Sequence, residues 1–537
     1  MSQPRIQVLD CTLRDGGYIN DWRFGRRTIA AVLDKLEQAG IDIIECGFLT
    51  RMVKEDGCSL FGRPDEIKGL LPKRERTSMI VAMIAIGEKE LHPIELPPCD
   101  GKSISGIRLT FHRQEINQAV EWAGIIMDKG YKVFMQPVGT AFYSDIELLE
   151  LVKKMNALRP YAFYIVDTLG SMYRGDVSHR FYLIDKNMAP EIRLGFHGHN
   201  NLQLAFSNAQ VLGKIQTPRT LILDSSVYGM GRGAGNLPTE LITQYINRSI
   251  APRYDVTTVM DIYDGYIAAI RREYDWGYAV PYHIAASSVC HPNYASYLLN
   301  KQTLTMKDIK KIIESIPAEY RVLYDQKLIE ELYVRFQSRK IDDSESVFTL
   351  SQMMAGKKLL LLAPGKSLLQ HRGTVLSRIE KENPFVITIN FADPLYRPNA
   401  CFISNHKRLD TIGQELAAWK ELPVILTSNL PAGIRDCLYV DYDSYTNGDE
   451  MISDNAGLML LSLLKKCGVQ HVMLAGFDGF RHSYGENYYS EDLDFGADQR
   501  EAEEKQHRMR KKLQEFAHTT QLEFLTPSAY EWKNTAE

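Results

Sequence analysis

From its start to about residue 250, the chain alternates between two hydrophobic periods. Eight short apolar runs predict strands: "IQVLD" (6–10), "IDIIECGF" (41–48), "SMIVAMIAI" (78–86), "SGIRLTF" (105–111), "KVFMQPV" (132–138), "AFYIVDT" (162–168), "IRLGFHGHN" (192–200) and "RTLILDSS" (219–226). Between most of them lie segments such as "RTIAAVLDKLEQAG", apolar at helical spacing and closed by glycine. Runs that are apolar throughout belong to strands buried on both faces, as in a parallel sheet. Eight strand–helix units in about 250 residues have the size of a (β/α)8 barrel.

From about 255 to 345 the pattern is helical, as in "TVMDIYDGYIAAIRREY" and "TMKDIKKIIESI". The polar stretch "RKIDDSESVFTLSQMMAGKK" (339–358) reads as a linker. Strand-type runs then return in "KLLLLAPGKSLL", "FVITINF", "ACFISN", "LPVILTSN", "VQHVMLAGFDGF" and "LEFLTPS". The expected α/β architecture is a TIM barrel over 1–275, a helical extension over 276–345, and an open Rossmann-like domain over 346–537.

Composition narrows the classes. Length 537, 45% hydrophobic and 24% charged residues fit a multidomain globular chain. A net charge of -4 gives no reason to expect nucleic acid or an anionic membrane surface. Eight cysteines without CxxC spacing suit a reducing cytosol. No apolar run reaches spanning length, and the first residues carry no apolar signal core, so a cytoplasmic location is expected.

Candidate chemistry gathers at the predicted strand ends, where barrel enzymes place it. "DCTLRDGGY" offers Asp10, Arg14, Asp15 and Tyr18; "IIECGF" offers Glu45; strand 4 ends at His112 and strand 6 at Asp167 and Thr168. "GFHGHNN" places His197 and His199 two apart, hence on one side of a strand, and "YGMGRGAGN" ends in Asn236. An HxH pair alone is equally consistent with a hydrogen-bonded structural pair, and an acidic residue such as Asp10 with a helix cap. All of these groups at one common end are harder to explain structurally.

"LDCTLRDGG", "IIECGF", "GFHGHNN" and "GMGRGAGN", taken in order, resemble the signatures of the DRE-TIM metallolyases over about residues 5–300. "RDGGY" and the segment 276–295 are most similar to the 4-hydroxy-2-oxovalerate aldolase branch. The resemblance implies a divalent metal on Asp15, His197 and His199, with Asn236 on or near it, Arg14 as catalytic arginine and Glu45 as a supporting carboxylate. Mn2+ or Mg2+ suits one carboxylate and two imidazoles best, and Zn2+ or Co2+ is allowed. It further implies a pyruvate-type aldolase or lyase acting on a 2-oxo acid and an aldehyde, and a homo-oligomer is expected. Those aldolases carry a histidine, proposed as base, where Tyr18 stands here. Proton transfer then falls to Tyr18, a water, His112 or His283. Two alternatives are an acyl-CoA Claisen condensation and a non-catalytic barrel that scaffolds the second domain.

In that domain, "LLLLAPGKSLL" is strand, glycine turn and helix, a place where free N–H groups meet phosphate. The order of runs over about 356–530 is similar to bacterial sialyltransferases that use CMP-sialic acid. That resemblance implies a nucleotide or nucleotide-sugar site at Gly365, Lys366, Ser367, Asn390, Asn405, Asn455, Gly457 and Asp478, and a role in surface polysaccharide biosynthesis.

Overall fold

The computed structural model describes residues 5–51, 56–73, 75–431, 437–480, 488 and 502–532. It divides into two compact units: Met1–Ser296 with Pro317–Tyr324, and Tyr297–Ile316 with Asp325–Glu537.

The first unit is the expected barrel. Its strands are β1 (Ile6–Asp10), β2 (Ile43–Leu49), β3 (Met79–Ala85), β4 (Gly106–Phe111), β5 (Lys132–Pro137), β6 (Ala162–Asp167), β7 (Arg193–Gly198) and β8 (Leu221–Ser225). Neighbours pair in parallel around the ring, and it closes where β1 pairs with β8 (Ile6 to Leu221) and with β2 (Leu9 to Ile43). A two-residue strand, Leu60–Phe61, is added beside β2 and was not legible in the sequence. Alternation along the strands makes two layers. Leu9, Ile43, Val81, Phe134, Tyr164 and Ile222 form one cluster. Their neighbours Val8, Ile44, Ile80, Val133, Phe163 and Leu223 pack with the helices. Near-continuous burial of every strand follows, as the apolar runs predicted.

The second unit is an open, all-parallel sheet of β9 (Leu359–Leu362), β10 (Phe385–Ile389), β11 (Ala400–Ile403), β12 (Val424–Thr427), β13 (Leu438–Val440), β14 (His471–Ala475) and β15 (Gln521–Phe524). Its spatial order is β13-β12-β11-β10-β9-β14-β15, so the winding reverses between β9 and β14. Ligand crevices of doubly wound sheets form at such a reversal. The stretch expected to be a linker is a helix instead, Ser344–Met354. Leu350 and Met354 on it are buried with the second core, and Val347 packs against them at helical spacing. The polar residues that masked this pattern lie on its other faces. No helix among the described residues is long and apolar enough to cross a membrane.

Candidate active site

β1 ends in a tight turn that carries Arg14 and Asp15, both buried. β7 supplies His197 and, one residue past its end, His199, with ring centroids 5.1 Å apart. One ligand atom from each of Asp15, His197 and His199 lies within 4.8 Å of the others. The loop after β8 closes over Asp15. A Cβ on Gly231 would stand 2.4 Å from Asn236 Nδ2 and 3.2 Å from Asp15 Oδ2, and one on Gly235, at φ +80°, 2.0 Å from the Gly229 carbonyl oxygen. Glycine is therefore required at both positions by space. That loop brings Asn236 Nδ2 to donate to Asp15 Oδ2 at 2.6 Å and to the Met230 carbonyl at 3.0 Å. With the amide nitrogen so committed, Asn236 Oδ1 is buried without a hydrogen-bond partner.

The supporting charges form a chain. Arg14 pairs with Asp15 and donates from Nε to Glu45 at 2.9 Å. Glu45 also accepts from Arg108 Nη1 at 2.5 Å, and Arg108 pairs with Asp224. Asp224 Oδ2 meets His197 Nδ1 at 3.0 Å. A carboxylate on Nδ1 fixes the tautomer and aims Nε2 away from it, the arrangement usual for metal-binding imidazoles. Burial raises the Asp15 carboxyl, but the Arg14 charge and the two imidazoles outweigh it and hold it well below the carboxylate range. Burial pushes His199 down to about 3, so it is neutral. The set offered is thus one carboxylate, the imidazoles of His197 and His199, and an unmatched amide oxygen. These donors fit a hard or borderline divalent ion.

The remaining expected residues divide. Glu45 lies where the supporting carboxylate was expected, under Arg14. Tyr18 is in the mouth, but its hydroxyl donates to Glu88 Oε1 at 3.1 Å, and burial raises its pKa. A phenol so held is no base at neutral pH. His112 follows β4, and its backbone N–H donates to Glu115 at 2.8 Å; among the described residues its ring makes no hydrogen bond to the triad. His283 is exposed on the helix Val280–Ser287, and among the described residues its ring pairs only with Ser287, at 3.4 Å. Asp10 accepts from Thr12 N at 2.9 Å and Thr239 Oγ1 at 2.6 Å, and Asp167 from Ser171 N at 2.9 Å. Both tie loops to strands. Arg108 and Asp224 were missed, although an arginine inside "SGIRLTF" and an aspartate inside "RTLILDSS" are charges in otherwise apolar strands, the available signal.

In the second unit, the turn after β9 faces the turn after β14. Ser367 N donates to Asp478 Oδ2 at 2.6 Å, the Ser367 hydroxyl pairs with the same carboxylate, and it meets Thr526 Oγ1 at 2.8 Å. A Cβ on Gly365 would stand 2.2 Å from the Gly476 carbonyl oxygen, so that glycine permits two turns to touch. Asn405 Oδ1 caps the helix His406–Ala418 through Arg408 N at 2.8 Å, and Asn455 Oδ1 caps Ala456–Lys466 through Gly457 N at 3.1 Å. Asn390, at φ +59°, accepts from Ser404 N at 3.3 Å. A Cβ on Gly457 would lie 2.8 Å from the Phe477 ring. Lys366 opens the short helix Lys366–Gln370.

The HMGL-like family model matches residues 107–265, which lie within the barrel unit. Among curated proteins, the chain is 29% identical over 267 residues to the 4-hydroxy-2-oxovalerate aldolase of Geobacillus genomosp. 3, covering 49% of this chain and 76% of that one. It is 27% identical over 279 residues to the enzyme of that name from Chloroflexus aurantiacus, covering 50% and 77%. A solved structure, the N-terminal domain of a candidate aldolase from Bacteroides vulgatus, is 24% identical and matches with a TM-score of 0.48 over 57% of this chain and 99% of that one.

Proposed function

We propose that the barrel is a divalent-metal-dependent carbon–carbon lyase of the aldolase type, acting on a 2-oxo acid with pyruvate as donor or product. The observation that carries this reading is the convergence of Asp15, His197 and His199 within 4.8 Å beside Arg14. Those three residues would hold the ion, with Asn236 Oδ1 next to it; Mn2+ or Mg2+ suits them best, and Zn2+ or Co2+ also fits. When bound, such an ion supplies a Lewis acid for the carboxylate and ketone oxygens of a 2-oxo acid. Breaking the bond beyond C3 leaves negative charge on the ketone oxygen. Arg14 meets it: Nε and Nη1 are fixed by Glu45 and Asp15, and Nη2 makes no hydrogen bond to a described residue. Asp224 and Arg108 hold His197 and Glu45 in register, so the site is organised before substrate arrives. Relatives named 4-hydroxy-2-oxovalerate aldolase support this direction of chemistry.

The direct assay is cleavage. Metal-loaded protein incubated with 4-hydroxy-2-oxovalerate and longer 4-hydroxy-2-oxo acids is expected to release pyruvate, read by proton NMR, and to stop when EDTA removes the ion. Absence of pyruvate from every such acid, with metal bound, counts against the reading.

For the second unit, a nucleotide or nucleotide-sugar ligand at the β9/β14 reversal is supported by the sheet order. Asp478 already holds the Ser367 amide, so a phosphate is not placed on that N–H. A function in assembling surface glycans rests on the sequence resemblance alone. Calorimetry of the full chain with CMP, UMP, GMP and their sugar conjugates tests the ligand; no binding below millimolar sets it aside.

A further inference from the structure

The loop Gly229–Asn236 carries a cation at the barrel mouth, Arg232, that makes no ion pair with a described residue. Gly231 lies against Asp15, so the side chain of Arg232 starts one residue from the triad, and it is half-buried. Other cations there are spent: Arg14 on Asp15 and Glu45, Arg108 on Glu45 and Asp224, and Lys89 on Glu88. Arg232 makes no hydrogen bond or ion pair with any described residue. Its guanidinium carbon lies 3.8 Å from the centroid of the Tyr18 ring.

That ring is a fixed platform. Tyr18 meets Trp22 edge-on at 4.7 Å and Phe48 at 6.1 Å, and its hydroxyl is held by Glu88. Lys89 Nζ sits 4.6 Å from the Trp22 ring, 5.0 Å from that of Tyr18 and 5.5 Å from that of Phe48. A guanidinium stacked on an aromatic face keeps its N–H edge free and loses little freedom when that edge binds. The carboxylates near it, Asp15 and Glu88, are engaged at hydrogen-bond distance by Asn236 and Tyr18. His291, on a segment whose Pro292 borders Gly233, is pushed down to about 3 by burial and by the Arg232 charge, so it adds no positive charge to the mouth.

We propose that Arg232 is the specificity-determining residue of the acceptor side of the site, and that it selects substrates with a second anionic group, carboxylate or phosphate, beyond the 2-oxo acid. The assignment rests on the 2-oxo acid reading above. A planar fork of donors with no hydrogen-bond acceptor among the described residues matches a carboxylate or phosphate in two-point contact. The Tyr18 substitution is then understandable: a ring that carries a guanidinium stands where the related aldolases have a histidine.

The test compares ligands of one length. Calorimetry with metal-loaded full-length protein measures 2-oxoglutarate, which has a distal carboxylate, against 2-oxovalerate, which has the same carbon chain without it. Wild type is expected to bind 2-oxoglutarate about 10- to 100-fold tighter, the range of charge-assisted hydrogen bonds. Arg232→Ala should erase that ratio and Arg232→Lys keep part of it. Condensation of pyruvate with succinic semialdehyde, glyceraldehyde 3-phosphate and butanal separates carboxylate from phosphate as the group selected. Equal affinities in wild type, or a ratio that survives Arg232→Ala, overturns the role of Arg232; the wild-type ratio does not depend on any variant folding. If wild type binds neither oxo acid and exchanges no pyruvate methyl protons, the 2-oxo acid reading falls and the role of Arg232 with it. Pyruvate exchange without anion preference removes the role of Arg232 alone.

Discussion

Both sheets end their strands in polar residues, yet the two sets are spent differently. Around the barrel axis, Asn236 Oδ1, Glu45 Oε1 and Asp224 Oδ1 are buried without a partner, and Arg232 makes no hydrogen bond or ion pair with a described residue. At the β9/β14 reversal, Ser367, Asn455 and Asp478 are matched to one another or to backbone N–H groups. Buried atoms without a partner in that unit, such as Thr388 Oγ1, Ser404 Oγ, Thr427 Oγ1 and Asn429 Oδ1, lie on or after β10, β11 and β12 instead. Closure explains the contrast. A ring points eight strand ends at one axis, so residues 15, 45, 108, 197 and 224 become neighbours, whereas an open sheet lays its ends along a line. Polar residues at strand ends are therefore evidence of a site when their hydrogen-bonding capacity is left over, and of a cap or turn when it is not.

Arg14→Lys separates the two kinds of residue most strongly. Lysine keeps the charge but cannot hold Glu45 and Asp15 while offering a further donor, so turnover should fall about 100- to 1000-fold with metal retained. A near-wild-type rate would place Arg14 with the structural residues. Asp224→Asn should weaken metal binding about 10- to 100-fold, because the neutral amide no longer orients His197 as firmly. Elemental analysis after dialysis against graded chelator reads that shift, and unchanged retention would remove Asp224 from the chain.

In the open sheet the expected loss is of stability. Asp478→Asn leaves one acceptor for the Ser367 amide and hydroxyl, a cost of about 1–3 kcal/mol. Urea unfolding should show it, and nucleotide affinity should change less than stability. The reverse pattern would make Asp478 a ligand contact.

Acid response gives the smallest effect and tests the electrostatics of the barrel. His291, ordinarily near 6.5 and held at about 3, refuses protons that the unfolded chain accepts, so it costs stability as pH falls through that window. Asp167, raised by burial from 3.8 to about 6, binds its proton earlier in the folded state and adds stability over the narrower window as pH falls. His291→Gln should therefore flatten the acid loss of the apo protein and Asp167→Asn steepen it, measured as urea midpoints between pH 7 and about 4. Matching curves for wild type and both variants would contradict these burials.

Much of this was legible in the chain. Seven of the eight barrel strands fall inside the apolar runs and β2 ends one residue beyond its run, because strands buried on both faces are apolar without interruption. His197 and His199 were placed on one side by the two-residue repeat alone. The rest depends on contacts between residues distant in sequence. The use of Arg108 was hidden because its partners, Glu45 and Asp224, lie 63 and 116 residues away. The helix Ser344–Met354 was hidden by its polar faces. The "APGKSL" turn looked free to take phosphate because the carboxylate that fills it comes from Asp478, 111 residues on.

The central claim is that the barrel removes a proton, or a carbon fragment, from the carbon beside a ketone. Incubating metal-loaded protein with pyruvate in D2O and following the methyl signal by proton NMR tests it without knowledge of the aldehyde. The account predicts loss of that signal at a rate proportional to enzyme, abolished by EDTA and in His199→Ala, a variant expected to hold no ion while its barrel stays folded. A methyl signal that persists at full intensity with stoichiometric metal bound, or exchange that continues in His199→Ala, would contradict it.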